Sequence, residues 1–394
     1  MIAVILCGGL GTRISKFTKK TPKPLIKIKG NITFLDYLIK NISRFNFEKI
    51  ILLCCYKKKI FFKKYHKKKI NNVKIICIDE KKAMGTGGAL YNIKKFKSDF
   101  FLFNGDTYFD INYLDLKRTV ANSPNKYIGN IALANVKGSR YLNLNLNRKQ
   151  EVYLEDNSNI INGGIYYFKK KLFSYISKNY ISLEKDILPK LIDKKLILGT
   201  KFLKKKNYFI DIGTYTHLDK SKSLVPFLDK KKAVFLDRDG VINYDLSYVY
   251  TKSKFKWKKN VMEAIKILND NNFYVFVVTN QSGIGRGYYT EDDVIKLHGW
   301  VNKKLVENFA HIDDFFYAPF FKKSKNKKYR KNSNLRKPNI GMFKIAIKKW
   351  NFHKNSYMIG DQKSDIEFAK NSNLKPFLVK DNLLNIVKKI THNK

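Results

Sequence analysis

Short apolar runs alternate along this chain with helix-length amphipathic segments, and the alternation begins twice. "IAVIL" leads into Cys7-Gly8-Gly9, "KIILLCCY" and "VKIICID" follow, and "DFFLF" leads into Asn104-Gly105-Asp106. Between them lie segments such as "FLDYLIKNISRF", apolar at Phe34, Leu35, Leu38, Ile42 and Phe45, which predicts a helix from Phe34 to Phe45. Apolar strands that stop in Gly, Asn or Asp and are joined by helices predict βαβ units on a mainly parallel sheet. Ligands of such sheets collect at the carboxyl ends of the strands. The pattern restarts near Lys230 with "KKKAVFLDRDG", a helical stretch from Val261 to Asn269, "YVFVVTNQSG" and "SYMIGDQKSD". A chain of 394 residues can bury two cores. The expectation is therefore two α/β domains, residues 1–226 and 231–394.

The formal charge of +47 would suit a polyanionic partner. Only nine of the 79 basic residues are Arg, however, and the 70 Lys are scattered among Asn, Ile, Phe and Tyr. Scattered lysine makes solvated faces rather than an arginine-bearing stripe, so neither a nucleic-acid nor a membrane partner is expected. Cys7, Cys54, Cys55 and Cys77 all fall early, three of them in apolar runs, which predicts free buried thiols in a reducing compartment. No apolar run is long enough to cross a bilayer, and "MIAVILCGG" has no basic segment before it. A cytoplasmic location is the expectation.

In the second half, Asp237 and Asp239 lie two apart at the end of "AVFL", so both can face one substrate. Two carboxylates there repel unless a cation joins them. Asp361 and Asp365 follow "YMIG", Thr279 and Asn280 close "YVFVV", and Lys337 precedes Pro338. Acid, hydroxyl, ammonium and acid at successive strand ends suit Mg²⁺ and a phosphate dianion. Asp237 is the expected nucleophile and Asp239 the expected acid and base.

Asp237-Arg238-Asp239-Gly240-Val241, Thr279-Asn280-Gln281-Ser282-Gly283-Ile284, Arg286-Gly287, Arg336-Lys337-Pro338 and Gly360-Asp361 resemble the haloacid dehalogenase-like phosphatases. Within that superfamily the resemblance is to the branch that holds heptose 1,7-bisphosphate 7-phosphatases and histidinol phosphatases. It implies a doubly wound parallel sheet, Thr279 and Lys337 on the phosphoryl oxygens, and Mg²⁺ on Asp237, Asp361 and the Asp239 carbonyl. Asn280, Arg286 and Arg336 are expected to bind substrate. Many members of the branch carry a zinc loop before Arg-Lys-Pro. Here Ala318, Phe320, Ser333 and Leu335 stand where ligands would be, so no zinc is expected.

In the first half, "CGGLGTR" follows the first strand. Glycine amides can converge on an anion, and Arg13 adds a delocalised charge. Lys23 stands between Pro22 and Pro24, "GTGGAL" offers a second glycine loop, and Asp106 and Asp211 each end an apolar run. These segments, with Asn162-Gly163-Gly164-Ile165-Tyr166 and Asp211-Ile212-Gly213-Thr214, resemble the sugar-1-phosphate nucleotidyltransferases, including members that make GDP-heptose or GDP-mannose. The resemblance implies a Rossmann-like domain with a mixed sheet. Gly8, Gly9, Gly11, Thr12, Arg13 and Lys23 would hold phosphates, and Gly87 and Gly88 the base. Asn162, Gly164 and Glu184 would hold the sugar, and Asp106 with Asp211 a second Mg²⁺. Relatives place a Glu-Lys pair where this chain reads Glu155-Asp156, so that lysine is missing or comes from elsewhere.

Together the two halves lead to the expectation of a bifunctional enzyme of nucleotide-heptose synthesis, acting on a phosphorylated heptose and GTP. The rivals are activation of another sugar such as mannose 1-phosphate beside a histidinol-phosphatase-like domain, and a non-catalytic regulator that binds sugar nucleotides.

Overall fold

The central strands of a parallel sheet are covered on both faces, which is why they read as unbroken apolar runs. In the computed structural model, which describes residues 1–136, 143–203, 207–380 and 382–392, this holds twice. The chain divides into one unit of residues 1–43 and 47–228 and another of residues 44–46 and 229–394.

The first unit carries strands β1 (Ile2–Leu6), β2 (Lys49–Cys54), β3 (Lys69–Ile70), β4 (Val73–Asp79), β5 (Phe100–Asn104), β6 (Thr107–Phe109), β7 (Gly129–Asn135), β8 (Ile160–Phe168), β9 (Ile197–Lys201) and β10 (Phe209–Asp211). Eight of them form one sheet in the order β9-β7-β8-β5-β1-β2-β4-β3, while β6 and β10 make a separate ribbon. The sheet is mixed: β1 runs parallel to β2 and β5, whereas β8 runs antiparallel to β5 and β7. Ile2 and Val4 point into one core with Ile51, Leu53, Phe100 and Leu102, and the intervening Ala3 and Ile5 are buried on the opposite face.

The amphipathic stretch after Thr33 forms helix α1 (Phe34–Ile42), started by a capping box between Thr33 and Asp36. The helix was expected to reach Phe45, but its last residues, Ser43–Phe45, tighten into a 3₁₀ turn. Helix α2 (Tyr215–Asp229) closes the unit.

The second unit is a five-stranded, wholly parallel sheet. Its strands are β11 (Ala233–Leu236), β12 (Tyr274–Asn280), β13 (Asp314–Ala318), β14 (Tyr357–Gly360) and β15 (Lys375–Leu378), in the order β13-β12-β11-β14-β15. Alternate residues face two cores. Val234, Leu236, Val275 and Val277 pack on helices α3 (Val261–Asp270), α4 (Glu291–Glu307) and α5 (Leu383–His392). Phe235, Phe276 and Val278 pack on α6 (Gly341–Lys349) and α7 (Lys363–Asn371). This is the doubly wound arrangement expected from the sequence. Because β11, β12 and β14 run side by side in one direction, their carboxyl ends bring Asp237, Thr279 and Asp361 to one edge.

Cys7, Cys54 and Cys77 are buried free thiols and Cys55 is half-buried. Among the described residues no helix is long and apolar enough to cross a membrane.

Candidate active sites

The second unit holds a cavity of about 350 Å³ above the ends of β11, β12 and β14, lined among others by Asp237, Asp239, Thr279, Lys337 and Asp361. Lys337 is only 3% exposed, and its Nζ lies 3.0 Å from Asp237 Oδ2 and 2.6 Å from Asp365 Oδ1. Burial alone would lower this ammonium, but the two carboxylates outweigh burial and hold it above its usual value. Burial likewise pushes Asp237 above the usual carboxylate range, with Lys337 opposing and Asp365 and Asp239 reinforcing the rise.

Oxygens of Asp237, Asp361 and Asp365 all lie within 4.8 Å of one another, the single such group of three or more ligand side chains among the described residues. Asp361 Oδ1 is buried with no hydrogen-bond partner. Three carboxylates, one of them with an unsatisfied oxygen, fit a hard divalent cation. The Asp239 carboxylate is outside this group.

Asp365 was absent from the expected ligand set. Its Oδ2 also accepts from the Asp361 and Gln362 amides at 3.2 and 3.1 Å, at the start of α7. The four-residue spacing from Asp361 was visible in the sequence; its meeting with Lys337 was not. Asn280, expected on the substrate, spends its side chain on Lys337. Its Oδ1 accepts from the Lys337 amide at 3.0 Å, and its Nδ2 donates to the Lys337 carbonyl at 3.2 Å. Its geometry is that of a clamp fixing the lysine backbone.

Arg336 lines the cavity, and burial followed by the neighbouring Arg286 lowers its pKa. The Arg286 guanidinium lies 3.8 Å from the centre of the Phe321 ring. Arg286 Nε and Arg336 Nη1 are both buried without a hydrogen-bond partner. Two adjacent guanidiniums, each with an unmet donor, offer a place for an anion. In the stretch that contains Ala318, Phe320, Ser333 and Leu335, and next to it, Tyr317 and Tyr329 donate to Glu291 at 2.8 and 2.6 Å, and Ser324 Oγ donates to the Gly285 carbonyl.

In the first unit, Gly9, Lys23, Thr86 and Asp106 line a cavity of about 180 Å³. Lys23 Nζ is paired with the Asp106 carboxylate. The β6–β10 ribbon sets Asp211 opposite Thr107, and the Ile212 amide donates to the Asp106 carbonyl at 2.9 Å, so Asp106 and Asp211 occupy neighbouring positions despite their distance in sequence. Asp211 accepts from the Gly213 amide at 2.7 Å and lies 3.1 Å from His217 Nδ1. Gly8 and Gly11 flank the exposed Gly9 and Leu10. Gly11 has φ +64° and caps the 3₁₀ turn that carries Thr12 and the exposed Arg13.

The "GTGG" segment is not the expected loop but a single helical turn, Gly85–Gly88. The amides of Gly87 and Gly88 donate to the Ile181 carbonyl at 2.9 and 3.0 Å, and a Cβ on Gly87 would press on Ile187 and Ile181. Glycine is needed here for close packing of the chain around Ile181, and these two amides are already used. Thr86 instead donates to Glu184 at 2.6 Å. Asn162 is turned onto its own strand, donating to Tyr166 Oη at 2.8 Å and accepting from the Gly164 amide at 3.0 Å. The Glu155 carboxylate accepts from Asn145, whose Oδ1 in turn accepts from Lys201 Nζ at 2.6 Å, so Asn145 stands between this acid and a lysine of β9.

In the sequence Glu80 reads as one more charge in "DEKK" and carries no signal of a site. Its carboxyl is buried, and Glu80 Oε1 would touch a Cβ placed on Gly8 at 3.2 Å. Burial, followed by the nearby Asp79, pushes its pKa up to about 7. An unfolded glutamate titrates near about 4.3. The folded chain therefore keeps a proton that the unfolded chain has released, and this contribution to stability is full below about 4.3 and is lost as pH rises through about 7. Ionised Glu80 also opposes an anion in the glycine loop. The KM for a nucleoside triphosphate is expected to rise about fivefold as pH passes from 6 to 8, equivalent to about 1 kcal/mol of repulsion. Glu80→Gln should flatten this rise in initial-rate measurements, and an unchanged slope would exclude the effect.

Comparison with known proteins places both units. Residues 2–225 match the nucleotidyl transferase family model, and residues 334–384 a HAD-hydrolase-like model. The D-glycero-beta-D-manno-heptose-1,7-bisphosphate 7-phosphatase of Rhodopseudomonas palustris is 41% identical over 149 residues, 38% of this chain and 83% of that protein. The D-glycero-alpha-D-manno-heptose-1,7-bisphosphate 7-phosphatase of Burkholderia mallei is 38% identical over 139 residues, 35% of this chain and 74% of that protein. Among solved structures, HddC from Yersinia pseudotuberculosis is 31% identical, covering 56% of this chain and 97% of its own, with a TM-score of 0.48.

Proposed function

Since the chain belongs to the nucleotidyl transferase family over residues 2–225 and, in its second unit, to the heptose-1,7-bisphosphate 7-phosphatases, we propose that it makes a nucleotide-activated heptose in two steps. The phosphatase site removes the 7-phosphate of a D-glycero-D-manno-heptose 1,7-bisphosphate. The transferase site then joins the heptose 1-phosphate to a nucleotide, with GTP as the donor. The observation that carries the phosphatase reading is the Arg286–Arg336 pair beside the Asp237 cavity, a place for a second phosphate on the same substrate.

Asp237 attacks phosphorus, forming an aspartyl-phosphate as the bond to the sugar oxygen breaks, and Asp239 gives its proton to that oxygen. Water then attacks this phosphorus and yields a proton back to Asp239, while the bond to the Asp237 oxygen breaks, freeing the carboxylate and inorganic phosphate. Thr279 and Lys337 hold the phosphoryl oxygens, and Asn280 holds Lys337 in place. Asp237, Asp361 and Asp365 would hold a Mg²⁺, which would supply charge neutralisation in this site. Gly240 has φ +84°, and any Cβ there would collide with the Asp361 carboxylate. Gly240→Ala is expected to weaken divalent-cation binding about 10- to 100-fold in a calorimetric titration; unaltered affinity would remove Asp361 from the ligand set.

In the transferase site an oxygen of the sugar phosphate attacks the α-phosphorus and pyrophosphate leaves, with no covalent enzyme intermediate. Gly8, Gly9, Gly11, Thr12, Arg13 and Lys23 hold phosphates and Glu184 the sugar, and Asp106 with Asp211 would hold a second Mg²⁺ that would neutralise phosphate charge. Incubation with the α or β anomer of the bisphosphate, Mg²⁺ and each nucleoside triphosphate in turn tests the whole. One phosphate and one pyrophosphate per nucleotide-sugar are expected, fastest with GTP. Absence of phosphate release from both anomers would overturn the heptose reading.

A further inference from the structure

The proton transfers assigned to Asp239 require its carboxyl to be within hydrogen-bond reach of the leaving oxygen and then of water, and misplacement by about 1 Å can cost about 10²-fold. We propose that Arg238 and Gln281 are positioning residues that hold Asp239 in the orientation for these transfers.

Arg238 follows the end of β11, and its guanidinium folds back onto its neighbour. Nε and Nη2 lie 3.2 and 3.0 Å from Asp239 Oδ1, and Nη2 lies 2.9 Å from Oδ2. Arg238 is 0% exposed. Its Nη2 also donates to the Val249 carbonyl at 2.6 Å, and Nη1 lies 3.3 Å from His298 Nε2. Burial and the Arg238 charge hold His298 well below its usual pKa, so the ring is neutral and Nε2 can accept. That ring is stacked on Phe315 at 4.6 Å, which completes a rigid seat for the guanidinium.

Gln281 fixes the second oxygen. Its Nε2 donates to Asp239 Oδ2 and to Thr279 Oγ1, both at 2.9 Å, while its Oε1 accepts from Tyr289 Oη at 2.7 Å. Asn243 Nδ2 completes the set with a bond to Oδ1 at 2.9 Å. The amide of Gln281 therefore ties the proton donor to the hydroxyl that holds the phosphoryl group, so the two keep one spacing.

This rests on the phosphatase half of the proposed function and not on the identity of the sugar. The test is the dependence of the first turnover on the leaving group, measured by rapid quench on the full chain with p-nitrophenyl, phenyl and ethyl phosphate. Nitrophenolate leaves without a proton and an alkoxide does not. Gln281→Met is expected to slow ethyl phosphate cleavage about 10²-fold and p-nitrophenyl phosphate cleavage by less than about threefold. Arg238→Met should steepen the dependence in the same sense. Because loss of a buried guanidinium can unfold the chain, Gln281→Met with an unchanged melting temperature is the deciding variant. An equal fall with all three esters, or no fall, would overturn the positioning role alone. A wild-type chain inert on every ester would overturn both this role and the phosphatase reading.

Discussion

Replacing Asp237 by Asn is expected to lower phosphate release at least about 10³-fold, while pyrophosphate release from supplied heptose 1-phosphate and GTP continues at the parent rate. The amide matches the carboxylate in shape but offers phosphorus no anionic oxygen, so the aspartyl-phosphate cannot form. The residues proposed for the transferase site fall at positions 8–23, 86–106, 162–184 and 211, none of them near this substitution in sequence or in the same unit. Measuring the two released products separately, each from its own supplied substrate, distinguishes the steps. Phosphate release that survived the change would rule out Asp237 as nucleophile.

Lys337→Met should show the second largest effect, in stability as well as rate. The substitution keeps the length of the side chain and removes the one ammonium shared by Asp237 and Asp365, whose side chains are 12% and 0% exposed. Leaving buried carboxylates without their cation costs about 3–5 kcal/mol. For a domain of this size that is a fall of about 6–20 °C in melting temperature, read by calorimetry in a chelating buffer. Saturating Mg²⁺ is expected to restore part of the stability, since in the proposed site it would meet the same carboxylates, but not the rate, since the proposed contact of Lys337 with a phosphoryl oxygen is lost. An unchanged melting temperature without divalent cation would show that the pair carries no stability.

Much of the fold was legible because local rules act on short stretches. A strand buried on both faces must be apolar throughout, so "IAVIL" and "AVFL" announced themselves, and Asp237 and Asp239, two apart just past the end of "AVFL", were paired on sight and line one cavity. Lys337 was marked by the proline that follows it. The glycines of "GTGG" misled, because a glycine run reads as a loop whether its freedom serves a ligand or a neighbouring chain; here the Ile181 carbonyl takes two of its amides. Glu80 and Lys201 were hidden among many similar charges, and nothing in their neighbours told which carboxyl would be buried or which ammonium would face Asn145.

By itself the sequence determined two α/β units, the strands, and the kinds of chemical group at their carboxyl ends. The tertiary structure alone decided that Asp365 joins Asp237 around Lys337, that Asn280 grips the lysine rather than a ligand, and that Arg238 turns back on Asp239. The reason is that pattern along a chain sets which way a side chain faces, whereas the distance between residues far apart in sequence is set by strand order and register, which no single stretch encodes.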